Sequence, residues 1–432
     1  MQRYDTYKDS GVYFLPDLPA NWEIRKAKYL FKEENRPVKP DDEIVTCFRD
    51  GQVTLRKNRR VEGFTNSLKE IGYQGVRKGD LVIHNMDAFA GSIGISDSDG
   101  KATPVYSCCT PKSSEVNQFY YCYLLRFLAR NGFILSLAKG IRERSTDFRF
   151  NDFKELYLPV PSREEQDAIV KHIDTATAKI DAAIAQQQKM IDLLNERKQI
   201  IINRAVTKGL NPNARMKDSG VEWIGDVPEH WEVKKLGFCI DILPGYAFSS
   251  QDFVENGIKL LRGINVTPEK LRWEDTVFWN KAIDESLNKY LLEENDLVLG
   301  LDRPWIGSGT RAVLVKEEDL PCLLVQRVCR IRPTNRMSIK YIYYLLSNKL
   351  FYNALAVDTT GVSVPHISTE QIKKVVMPIP DLSEQNSIVE YIEVHVASIN
   401  KAIQAVNNQI SLLQERKQIV INEVVTGKVK VM

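Results

Sequence analysis

The sequence predicts an α+β fold in which two strand-rich globular domains alternate with two long helices. Three observations predict it. The sequence contains an internal duplication, one long block of each copy has apolar residues at helical spacing, and the intervening parts have the pattern of short strands and turns. At 432 residues the chain is also long for a single hydrophobic core. We therefore expect a duplicated pair of domains in the order globule, helix, globule, helix.

Three blocks of sequence recur in the same order. They are KDSGVYFLPDLPANWEIRK (8 to 26) and KDSGVEWIGDVPEHWEVKK (217 to 235), KGDLVIHNMDAFAGSIG (78 to 94) and the weaker ENDLVLGLDRPWIGSGT (294 to 310), and LPVPSREEQDAIVKHI (158 to 173) and MPIPDLSEQNSIVEYI (377 to 392). The last match continues without a gap to Thr207 and Thr426, through LLNERKQIIIN and LLQERKQIVIN. These matches place the first globule at 1–157, the first long helix at 158–212, the second globule at 213–376 and the second long helix at 377–432.

The long repeated block has the apolar spacing of a helix that packs along a partner helix. The seam positions are Ile169, Ile173, Ile180, Ile184, Ile191, Leu194 and Ile201 in the first copy, and Ile388, Ile392, Ile399, Ile403, Ile410, Leu413 and Val420 in the second. The pairs Ser162/Glu165 and Asp381/Glu384 form a capping-box pattern at the two starts. From Glu165 to Thr207, roughly 43 residues at about 1.5 Å each predict a helix of about 65 Å.

Two such helices in one chain are expected to pair with each other. The link through the second globule is long for either orientation, so topology alone does not choose between a parallel and an antiparallel pair. The duplication favours the antiparallel pair, because each half then has an equivalent environment. We therefore expect an antiparallel coiled coil with internal pseudo-two-fold symmetry.

The globules are patterned as strands and turns. DLVIHN and DLVLGL each follow a turn, and CLLVQRVCRI alternates like a strand. A shorter helix is predicted late in each globule, at NQFYYCYLLRFLAR and at IKYIYYLLSNKLFYNAL. We assign the tyrosines and leucines of these helices to the core rather than to stacking on bases.

The two globules differ most in loop-rich parts that carry basic clusters, among them RKNRR (56 to 60) and KGIRERSTDFR (139 to 149). Arginine can bind phosphates or read guanine edges, and Asn or Gln can read adenine. The candidate DNA-contacting residues are Arg49, Gln52, Arg56, Lys57, Asn58, Arg59, Arg60, Arg142, Arg144 and Arg149 in the first globule, and Arg262, Asn265, Lys270, Arg272, Arg303, Arg311 and His366 in the second. Solvated loops and nucleic-acid contacts both explain such clusters, and the residues alone leave the two alternatives open.

The sequence contains no complete motif of a catalytic site. DRPW (302 to 305) is similar to the D-P-P-Y/W loop of DNA amino-methyltransferases, but Arg303 replaces its first proline and the counterpart in the first globule is MDAF. We interpret DRPW as a structural loop. No G-x-x-x-x-G-K-[ST] loop is present, and none of the five histidines pairs with a cysteine or a carboxylate at metal-ligand spacing. The sequence thus predicts neither an ATP-driven motor nor a metal site.

The bulk composition indicates an ordinary folded protein. The formal net charge of +3 is small, so a nucleic-acid surface would have to be a local concentration of basic residues. No apolar run is long enough to span a membrane, and the start MQRYDTYKDS does not have the pattern of a secretory signal. Seven cysteines without a CxxC pair are typical of a reduced compartment, so we expect a cytoplasmic protein.

The twin KDSGV…DxPxxWExxK blocks, the GDLVI-type strand and the PxP…EQ…LLxERKQxIxN helices together resemble the specificity subunit of type I restriction–modification enzymes. The resemblance covers the whole chain. It implies two variable target-recognition domains joined by two long helices in an antiparallel coiled coil, which supplies the orientation that topology leaves open. Each recognition domain would read one half of a bipartite, asymmetric DNA sequence, and the coiled coil would set the spacing between the halves.

The resemblance also implies partners and cofactors. Two copies of a DNA adenine methyltransferase subunit would dock on the chain, and motor-nuclease subunits would join them for restriction. S-adenosylmethionine, ATP and magnesium would belong to those partners, so this chain would be a non-catalytic subunit without a cofactor of its own. Because identical partners need identical surfaces, the repeated charged faces are the candidate subunit-binding residues: Glu196, Arg197, Lys198, Glu415, Arg416 and Lys417.

Two other functions remain possible interpretations of the sequence, one enzymatic and one purely structural. A self-contained DNA methyltransferase or nuclease is suggested only by DRPW, and binding of S-adenosylmethionine to the isolated chain would distinguish it. A non-catalytic coiled-coil scaffold explains the helices but not the two large globules, and a gel shift with duplex of random sequence would test it.

Overall fold

The computed structural model shows two compact units, one formed by residues 1–187 and 408–432 and the other by residues 188–407. The structure describes residues 2–59, 70–137, 147–222, 224–268, 270–306, 309–334, 336–356 and 366–432. The unit boundaries fall within the two long helices. Each unit therefore combines one globule with a part of each long helix. In the described part of the chain, no helix is long and apolar enough to cross a membrane.

The first globule is built from short strands and a few helices. Its strands are β1 (Tyr7–Asp9), β2 (Asp17–Pro19), β3 (Glu23–Lys26), β4 (Phe31–Glu34), β5 (Val45–Cys47), β6 (Val53–Leu55), β7 (Gln74–Val76), β8 (Leu81–His84), β9 (Ile93–Ile95), β10 (Gly100–Ala102), β11 (Tyr106–Pro111) and β12 (Tyr157–Val160). Its helices are α1 (Ala27–Leu30), α2 (Gln118–Arg130), α3 (Phe133–Ser136) and α4 (Phe150–Phe153), and the long helix α5 (Arg163–Lys208) follows.

The second globule has a similar succession of elements. Its strands are β13 (Met216–Asp218), β14 (Asp226–Pro228), β15 (Glu232–Lys235), β16 (Ile240–Pro244), β17 (Ile258–Leu261), β18 (Phe278–Trp279), β19 (Leu297–Gly300), β20 (Trp305–Ile306), β21 (Gly309–Thr310), β22 (Ala312–Leu314), β23 (Cys322–Leu324), β24 (Val328–Pro333) and β25 (Val376–Ile379). Its helices are α6 (Glu285–Asn288), α7 (Ile339–Leu346), α8 (Lys349–Ala356) and α9 (Thr369–Lys374), and the long helix α10 (Leu382–Val425) follows.

Each globule is organised around an antiparallel four-stranded sheet with the same plan. The strand order is β4-β11-β8-β9 in the first globule and β16-β24-β19-β22 in the second. The sequence predicts the inner strands β8 and β19 from DLVI and DLVL, and their side chains are buried on both faces. Pairing of β3 with β12, and of β15 with β25, closes each globule immediately before its long helix. The mixed α+β fold predicted from the sequence is confirmed.

A buried aspartate begins each inner strand. The Asp80 carboxylate accepts hydrogen bonds from the Arg77 backbone N–H at 2.8 Å and from Arg36 Nη2 at 3.1 Å. Asp296 holds the matching turn through the Glu293 N–H at 2.7 Å and pairs with Arg332 Nη2 at 2.9 Å. A buried carboxylate needs such partners because it has lost its water. The repeated Asp of the DLV blocks is therefore structural.

The N-cap half of the predicted capping box is present at the start of both long helices, whereas the glutamates bind other groups; Glu384 Oε2 accepts the Trp231 indole N–H at 2.9 Å. Ser162 Oγ accepts a hydrogen bond from the Glu165 N–H at 3.2 Å, and Asp381 Oδ1 accepts one from the Glu384 N–H at 2.8 Å. The Glu165 carboxylate, however, points into its globule, where it accepts the Tyr4 hydroxyl hydrogen at 2.5 Å. Burial is the main cause that raises the pKa of Tyr4, and the hydrogen bond with Glu165 raises it further.

A glutamine in the first turn of each long helix fixes that helix to its own globule. Gln166 is fully buried; its Oε1 accepts the Asn117 N–H at 2.8 Å and its Nε2 donates to the Pro161 carbonyl at 2.9 Å. Gln385 makes the same two contacts, with the Ser338 N–H at 2.8 Å and the Pro380 carbonyl at 2.9 Å. Asn117 and Ser338 are the N-caps of α2 and α7. The repeated EQ dipeptide therefore connects two helices in each unit.

The far end of each long helix enters a hydrophobic core. In the first unit Ile421, Val424 and Val425 of α10 belong to the same buried cluster as Trp22 and Tyr120. In the second unit the equivalent residues Ile202, Ala205 and Val206 of α5 belong to the cluster of the second globule. Each core thus contains residues from both long helices. The predicted seam positions Ile201 and Val420 are only partly buried, and the next residue in each helix is the buried one.

Polar contacts join the two long helices within each unit. In the first unit Lys417 Nζ lies 2.6 Å from both carboxylate oxygens of Asp181. In the second unit Lys198 Nζ lies 3.2 Å from Asn400 Oδ1. The repeat relates Lys198 to Lys417 and Asp181 to Asn400, with an offset of 219 residues in both cases. The same contact therefore occurs in both units, with an amide in place of the carboxylate in the second.

Two predicted elements are interrupted. The helix predicted for IKYIYYLLSNKLFYNAL is divided into α7 and α8, with Ser347 as the C-cap of α7. The strand predicted for CLLVQRVCRI is divided into β23 and β24 by a turn in which Arg327 has φ of +68°. That turn places Arg327 at the surface, where the alternating pattern would have continued a strand.

Candidate nucleic-acid interface

The turn between β5 and β6 brings together three of the candidate residues in the first unit. Arg59 Nη1 lies 2.7 Å from Asp50 Oδ2 and 3.2 Å from Gln52 Oε1, and its guanidinium carbon lies 4.2 Å from the centre of the Phe48 ring. Burial acts to raise the pKa of Asp50, but hydrogen bonds from the Gln52 N–H and from Arg59 outweigh it and hold that pKa below its ordinary value. Arg49 belongs to the same turn.

The rest of the RKNRR cluster forms a short 3-10 turn after β6, at Arg56–Asn58. Lys57 Nζ forms an ion pair with Glu43 at 2.5 Å, and Asn58 Nδ2 donates to Thr54 Oγ1 at 2.8 Å. Arg56 Nε lies 3.3 Å from Thr46 Oγ1. These contacts tie the turn to β5 and β6 while the Lys57 side chain remains exposed. The candidates Arg60, Arg142 and Arg144 lie outside the described residues.

The loop after β8 faces this turn. Arg49 Nη2 lies 3.0 Å from Asp87 Oδ1, and the side chain of Arg49 is 68% exposed. A β-carbon on Gly91, which has φ of +94°, would lie 2.8 Å from the Arg49 carbonyl oxygen, so this close approach requires glycine. The candidate Arg149 lies near this loop, because the neighbouring Phe148 N–H donates to the Asn85 carbonyl at 3.0 Å.

A histidine shares the Asp87 carboxylate with Arg49. His84 Nε2 lies 4.0 Å from Asp87 Oδ2, and His84 Nδ1 accepts the Asp87 backbone N–H at 3.1 Å. The ring also packs edge-on against Tyr106, with centroids 4.7 Å apart. Burial lowers the pKa of His84 more strongly than the nearby Asp87 carboxylate raises it. We call Arg49, His84 and Asp87 the Asp87 cluster.

In the second unit, two of the candidates hold loops together. Asn265 is buried; its Oδ1 accepts the Arg262 N–H at 3.0 Å and its Nδ2 donates to the Arg272 carbonyl at 2.8 Å. The Arg311 guanidinium donates to the carbonyls of Val266 at 2.9 Å and Asp302 at 2.7 Å. Burial, followed by the positive charge of Arg303, lowers the pKa of Arg311.

Arg311 also donates to the Gly263 carbonyl. It therefore connects the loop around Gly263 with the loop at Asp302, and its donors are directed to the backbone of this chain. The candidates Lys270 and Arg272 lie on the outer side of the same turn, where both are exposed. The loop thus presents basic side chains from a framework that Asn265 and Arg311 hold.

A second cluster forms around Asp302. Arg327 Nη1 lies 2.6 Å from Asp302 Oδ2, and His366 Nδ1 lies 2.7 Å from Asp302 Oδ1. Burial acts to raise the pKa of Asp302, but hydrogen bonds from Arg327 and His366 hold it below its ordinary value. Arg303 and Gln326 line the same open depression. We call Asp302, Arg303, Gln326, Arg327 and His366 the Asp302 cluster.

Arg327, Gln326 and the two aspartates, Asp87 and Asp302, are not among the candidate residues predicted from the sequence. Arg327 lies in the apolar, alternating stretch CLLVQRVCRI, where it has the position of an ordinary strand residue. A φ of +68° is uncommon for residues other than glycine, and no sequence pattern predicts a turn at this position. The aspartate of DRPW has a structural role, because Asp302 is the residue that binds Arg327 and His366.

The candidate subunit-binding faces have the same exposure in the two long helices. Glu196, Arg197, Glu415 and Arg416 are exposed, whereas Lys198 and Lys417 are partly buried. The two lysines contact the neighbouring long helix within their own units, as described above. The glutamate and the arginine are the members of each face that point to solvent.

Among the residues that the structure describes, no group of three or more His, Cys, Asp or Glu side chains is placed to hold a metal ion. Both oxygens of the Asp302 carboxylate already have hydrogen-bond partners. The two clusters thus offer exposed arginines, a glutamine and histidines, which are groups suited to bind phosphates and base edges.

Comparison with known proteins gives a consistent result. A sequence model of the type I restriction modification DNA specificity domain matches residues 228–412. The type I restriction enzyme MjaVIII specificity subunit of Methanocaldococcus jannaschii is 31% identical over 324 residues, which are 74% of this chain and 72% of that protein. The EcoAI specificity subunit of Escherichia coli is 34% identical over 177 residues, which are 41% of this chain and 30% of that protein.

A solved structure has the same fold. A chain from a structure that concerns complex assembly and conformational transition of the type I R-M system aligns with a TM-score of 0.67 and 15% identity, covering 95% of this chain and 99% of that one. The duplicated sequence and the similarity to the MjaVIII subunit lead to one conclusion: this chain belongs to the family of type I restriction–modification DNA specificity subunits.

Proposed function

We propose that this chain selects the DNA sequence for a type I restriction–modification complex by reading a bipartite, asymmetric site. The first globule reads one half and the second globule reads the other. The observation that carries this proposal is a common framework with different loops. The four-stranded sheets have the same plan, yet one globule presents the Asp87 cluster and the other the Asp302 cluster. Different loops on equal frameworks suit two unlike half-sites.

We further propose that α5 and α10 pair as an antiparallel coiled coil with pseudo-two-fold symmetry. Two contacts support this orientation: position 181 of α5 meets position 417 of α10, and position 198 meets position 400. Residue numbers rise along one helix as they fall along the other. In this proposal the coiled coil fixes the spacing of the half-sites. A helix of about 65 Å compares with one to two turns of B-DNA at about 34 Å per turn.

The exposed Glu196/Arg197 and Glu415/Arg416 pairs are the proposed docking surfaces for two identical DNA adenine methyltransferase subunits. The pairs occupy equivalent positions of the repeat and are exposed in both units. Motor-nuclease subunits would join this assembly for restriction. Identical partners require two like surfaces, and these helices form the longest match without a gap between the two halves. The cytoplasmic location expected from the sequence is part of the same proposal.

In this proposal the chain itself is not catalytic. S-adenosylmethionine, ATP and magnesium would be bound by the partner subunits. The chain's own residues would bind the phosphate backbone, read base edges and position the methyltransferase over its adenine. Phosphate contacts fix the orientation of a protein on DNA, whereas contacts to base edges carry the sequence information.

Methyl transfer from labelled S-adenosylmethionine tests the proposal. The purified chain alone should transfer no methyl group to DNA. The chain mixed with its methyltransferase subunit should methylate DNA at one defined sequence, and the methyltransferase subunit alone should not. Methyl transfer by the chain alone would instead support the self-contained methyltransferase. Duplex binding without any sequence preference in the complex would support the scaffold.

A further inference from the structure

Both units contain an exposed arginine that forms an ion pair with a partly buried aspartate. In the first unit Arg49 is 68% exposed and Asp87 is 34% exposed. In the second unit Arg327 is 66% exposed and Asp302 is 29% exposed. A histidine faces the same carboxylate in both cases. The same arrangement therefore exists in two globules whose loop sequences differ.

The two arginines are not equivalents in the repeat. Arg49 lies in the turn between β5 and β6, whereas Arg327 lies in the turn between β23 and β24. The aspartates, in contrast, both lie in the loop that follows the inner strand, after β8 and after β19. Different parts of the chain thus supply an arginine to the same place beside the inner strand. The two ion pairs are therefore not copies of one pair that was present before the duplication.

The backbone around each pair is fixed. The Leu301 N–H donates to the Arg327 carbonyl at 2.9 Å, and the Leu301 carbonyl accepts the Ile367 N–H at 2.9 Å. The Asp87 carbonyl accepts the N–H groups of Ala90 at 2.9 Å and Ser92 at 3.2 Å. Each carboxylate therefore orients its arginine while its own backbone is fixed by hydrogen bonds. An oriented side chain loses less conformational entropy when it binds a partner.

The conformation of Arg327 adds a separate observation. Three described residues other than glycine have positive φ: Asn295, Arg303 and Arg327. Asparagine tolerates this region, but arginine gains nothing from it, and glycine would be more favourable there. Both arginines belong to the Asp302 cluster. An unfavourable backbone conformation is retained where the side chain is needed.

The partner of such an arginine follows from electrostatics. A carboxylate beside an arginine weakens its attraction for a phosphate group, because the carboxylate and the phosphate repel each other. Contact with a base edge benefits from the fixed orientation and involves no net negative charge. Among the base pairs, guanine presents two adjacent acceptors, N7 and O6, in the major groove. Arginine has five N–H donors and no acceptor, so it matches guanine rather than adenine, thymine or cytosine.

We propose that Arg49 and Arg327 are base-reading residues, each oriented by its aspartate toward a guanine, so that each half of the recognised sequence contains a G·C pair specified by one of them. This inference rests on the proposed function, in which each globule reads one half-site. Asp87 and Asp302 are then positioning residues. They set the direction of the guanidinium and do not contact the DNA themselves.

The test uses the complex reconstituted from this chain and its methyltransferase subunit, with methylated motifs read by sequencing a randomised DNA library. Arg327→Gly removes the side chain and suits a φ of +68°, so the turn keeps its conformation. The variant should lose discrimination about 5- to 150-fold at one guanine of one half-site, as expected for one bidentate contact. Arg49→Ala should have the same effect on a guanine of the other half-site.

Asp302→Asn distinguishes a positioning aspartate from a merely structural one. It should relax the same guanine as Arg327→Gly while binding to unrelated duplex is not weakened, because a negative charge has been removed. Lys281→Ala is the matched control, since Lys281 is a similarly exposed cation (55%) paired with Asp252 (33%) in the same unit. The control should leave the motif unchanged. Thermal unfolding of each variant identifies a folding defect. If Asp302→Asn does not fold, Arg327→Gly still tests whether the Arg327 side chain specifies the guanine.

Three results would overturn the inference. The first is an unchanged motif in Arg327→Gly and Arg49→Ala. The second is an equal loss of binding on all sequences with the motif intact, which identifies phosphate contacts. The third is a relaxed position that is not a guanine. Failure of the proposed function is a different outcome, because the unmodified complex would then show no bipartite motif at all.

Discussion

Lys417 and Asp181 form an ion pair between the two long helices, with Nζ 2.6 Å from both carboxylate oxygens. In the second unit the equivalent lysine, Lys198, meets Asn400 instead of an aspartate. The chain therefore contains a charged and an uncharged version of the same contact. This difference permits a measurement of what the charge contributes, in one protein and under one set of conditions.

Reversing the charges of the pair should show that the two residues interact. Asp181→Lys and Lys417→Asp should each destabilise the helix contact, and the double variant should recover most of the loss. A coupling free energy of about 0.2–1 kcal/mol is expected for a partly exposed pair, and salt should reduce it. Hydrogen exchange of the helix amides near residues 181 and 417 measures the local stability.

The natural uncharged contact provides the control. Asn400→Asp should stabilise the second unit by a similar amount and should add a salt dependence that the unmodified contact does not have. Additive effects of the two charge reversals, or a stabilisation by Asn400→Asp that is independent of salt, would contradict the assigned interaction.

The buried glutamines should stabilise each unit separately. Gln166→Ala leaves the Asn117 N–H and the Pro161 carbonyl without their partner, at about 1–3 kcal/mol for each buried unpaired group. Hydrogen exchange should become faster in the first globule and remain unchanged in the second, and Gln385→Ala should have the reverse effect. The exposed Gln186 provides the control substitution. Equal effects of Gln166→Ala on both globules would show that the contact does not act within its own unit.

His84 should make the first unit less stable in acid. Burial holds the pKa of His84 below its ordinary value of 6.5 in the folded chain. The folded state therefore binds fewer protons than the unfolded state, and stability falls as the pH is lowered from 6.5 toward the folded pKa. His84→Asn retains an acceptor for the Asp87 N–H but cannot be protonated. The difference in unfolding free energy between the chain and this variant should change between pH 7 and pH 5, and a constant difference would contradict the burial effect.

The basic turn after β6 should add to the binding of phosphates. Lys57 pairs with Glu43 and Arg59 with Asp50, so each should attract a phosphate less strongly than an unpaired cation would, and the contribution of the whole turn should be modest. Replacement of Arg56, Lys57 and Arg59 by alanine should weaken binding to all duplexes alike and should lower the salt slope of log Kd by about 1 for each lost phosphate contact. Arg25→Ala removes another exposed arginine of the first unit and is the control. Binding measured at several salt concentrations decides the question. Unchanged affinity and slope would show that the cluster is solvated, and loss at one base alone would indicate base reading.

Much of the fold could be predicted because repetition and periodicity are local properties of the sequence. The starts of both long helices follow from Ser162 and Asp381, and the inner strands follow from DLVI and DLVL. The exact end of the seam could not be predicted. Ile202 rather than Ile201 is buried, because the end of α5 packs into the core of the second globule, and a heptad pattern contains no information on that core.

The candidate site could be predicted in part. RKNRR and the loop at DRPW indicated where basic residues lie, but not which of them face solvent. Arg311 and Asn265 have suitable chemistry, yet their donors and acceptors bind the backbone of this chain. Asp302 and His366 are 64 residues apart and meet through an isolated β-bridge, which no local pattern encodes. The turn at Arg327 depends on tertiary contacts in the same way.

Mapping of methylated sites by the reconstituted complex tests the central claim most directly. DNA from a library of random sequence would be methylated by the methyltransferase subunit with and without this chain, and the modified adenines would be read by sequencing. We predict one asymmetric motif with two short specified blocks and a fixed number of unspecified base pairs between them, present only when the chain is included. A single uninterrupted motif, or the same methylated sites without the chain, would contradict the account.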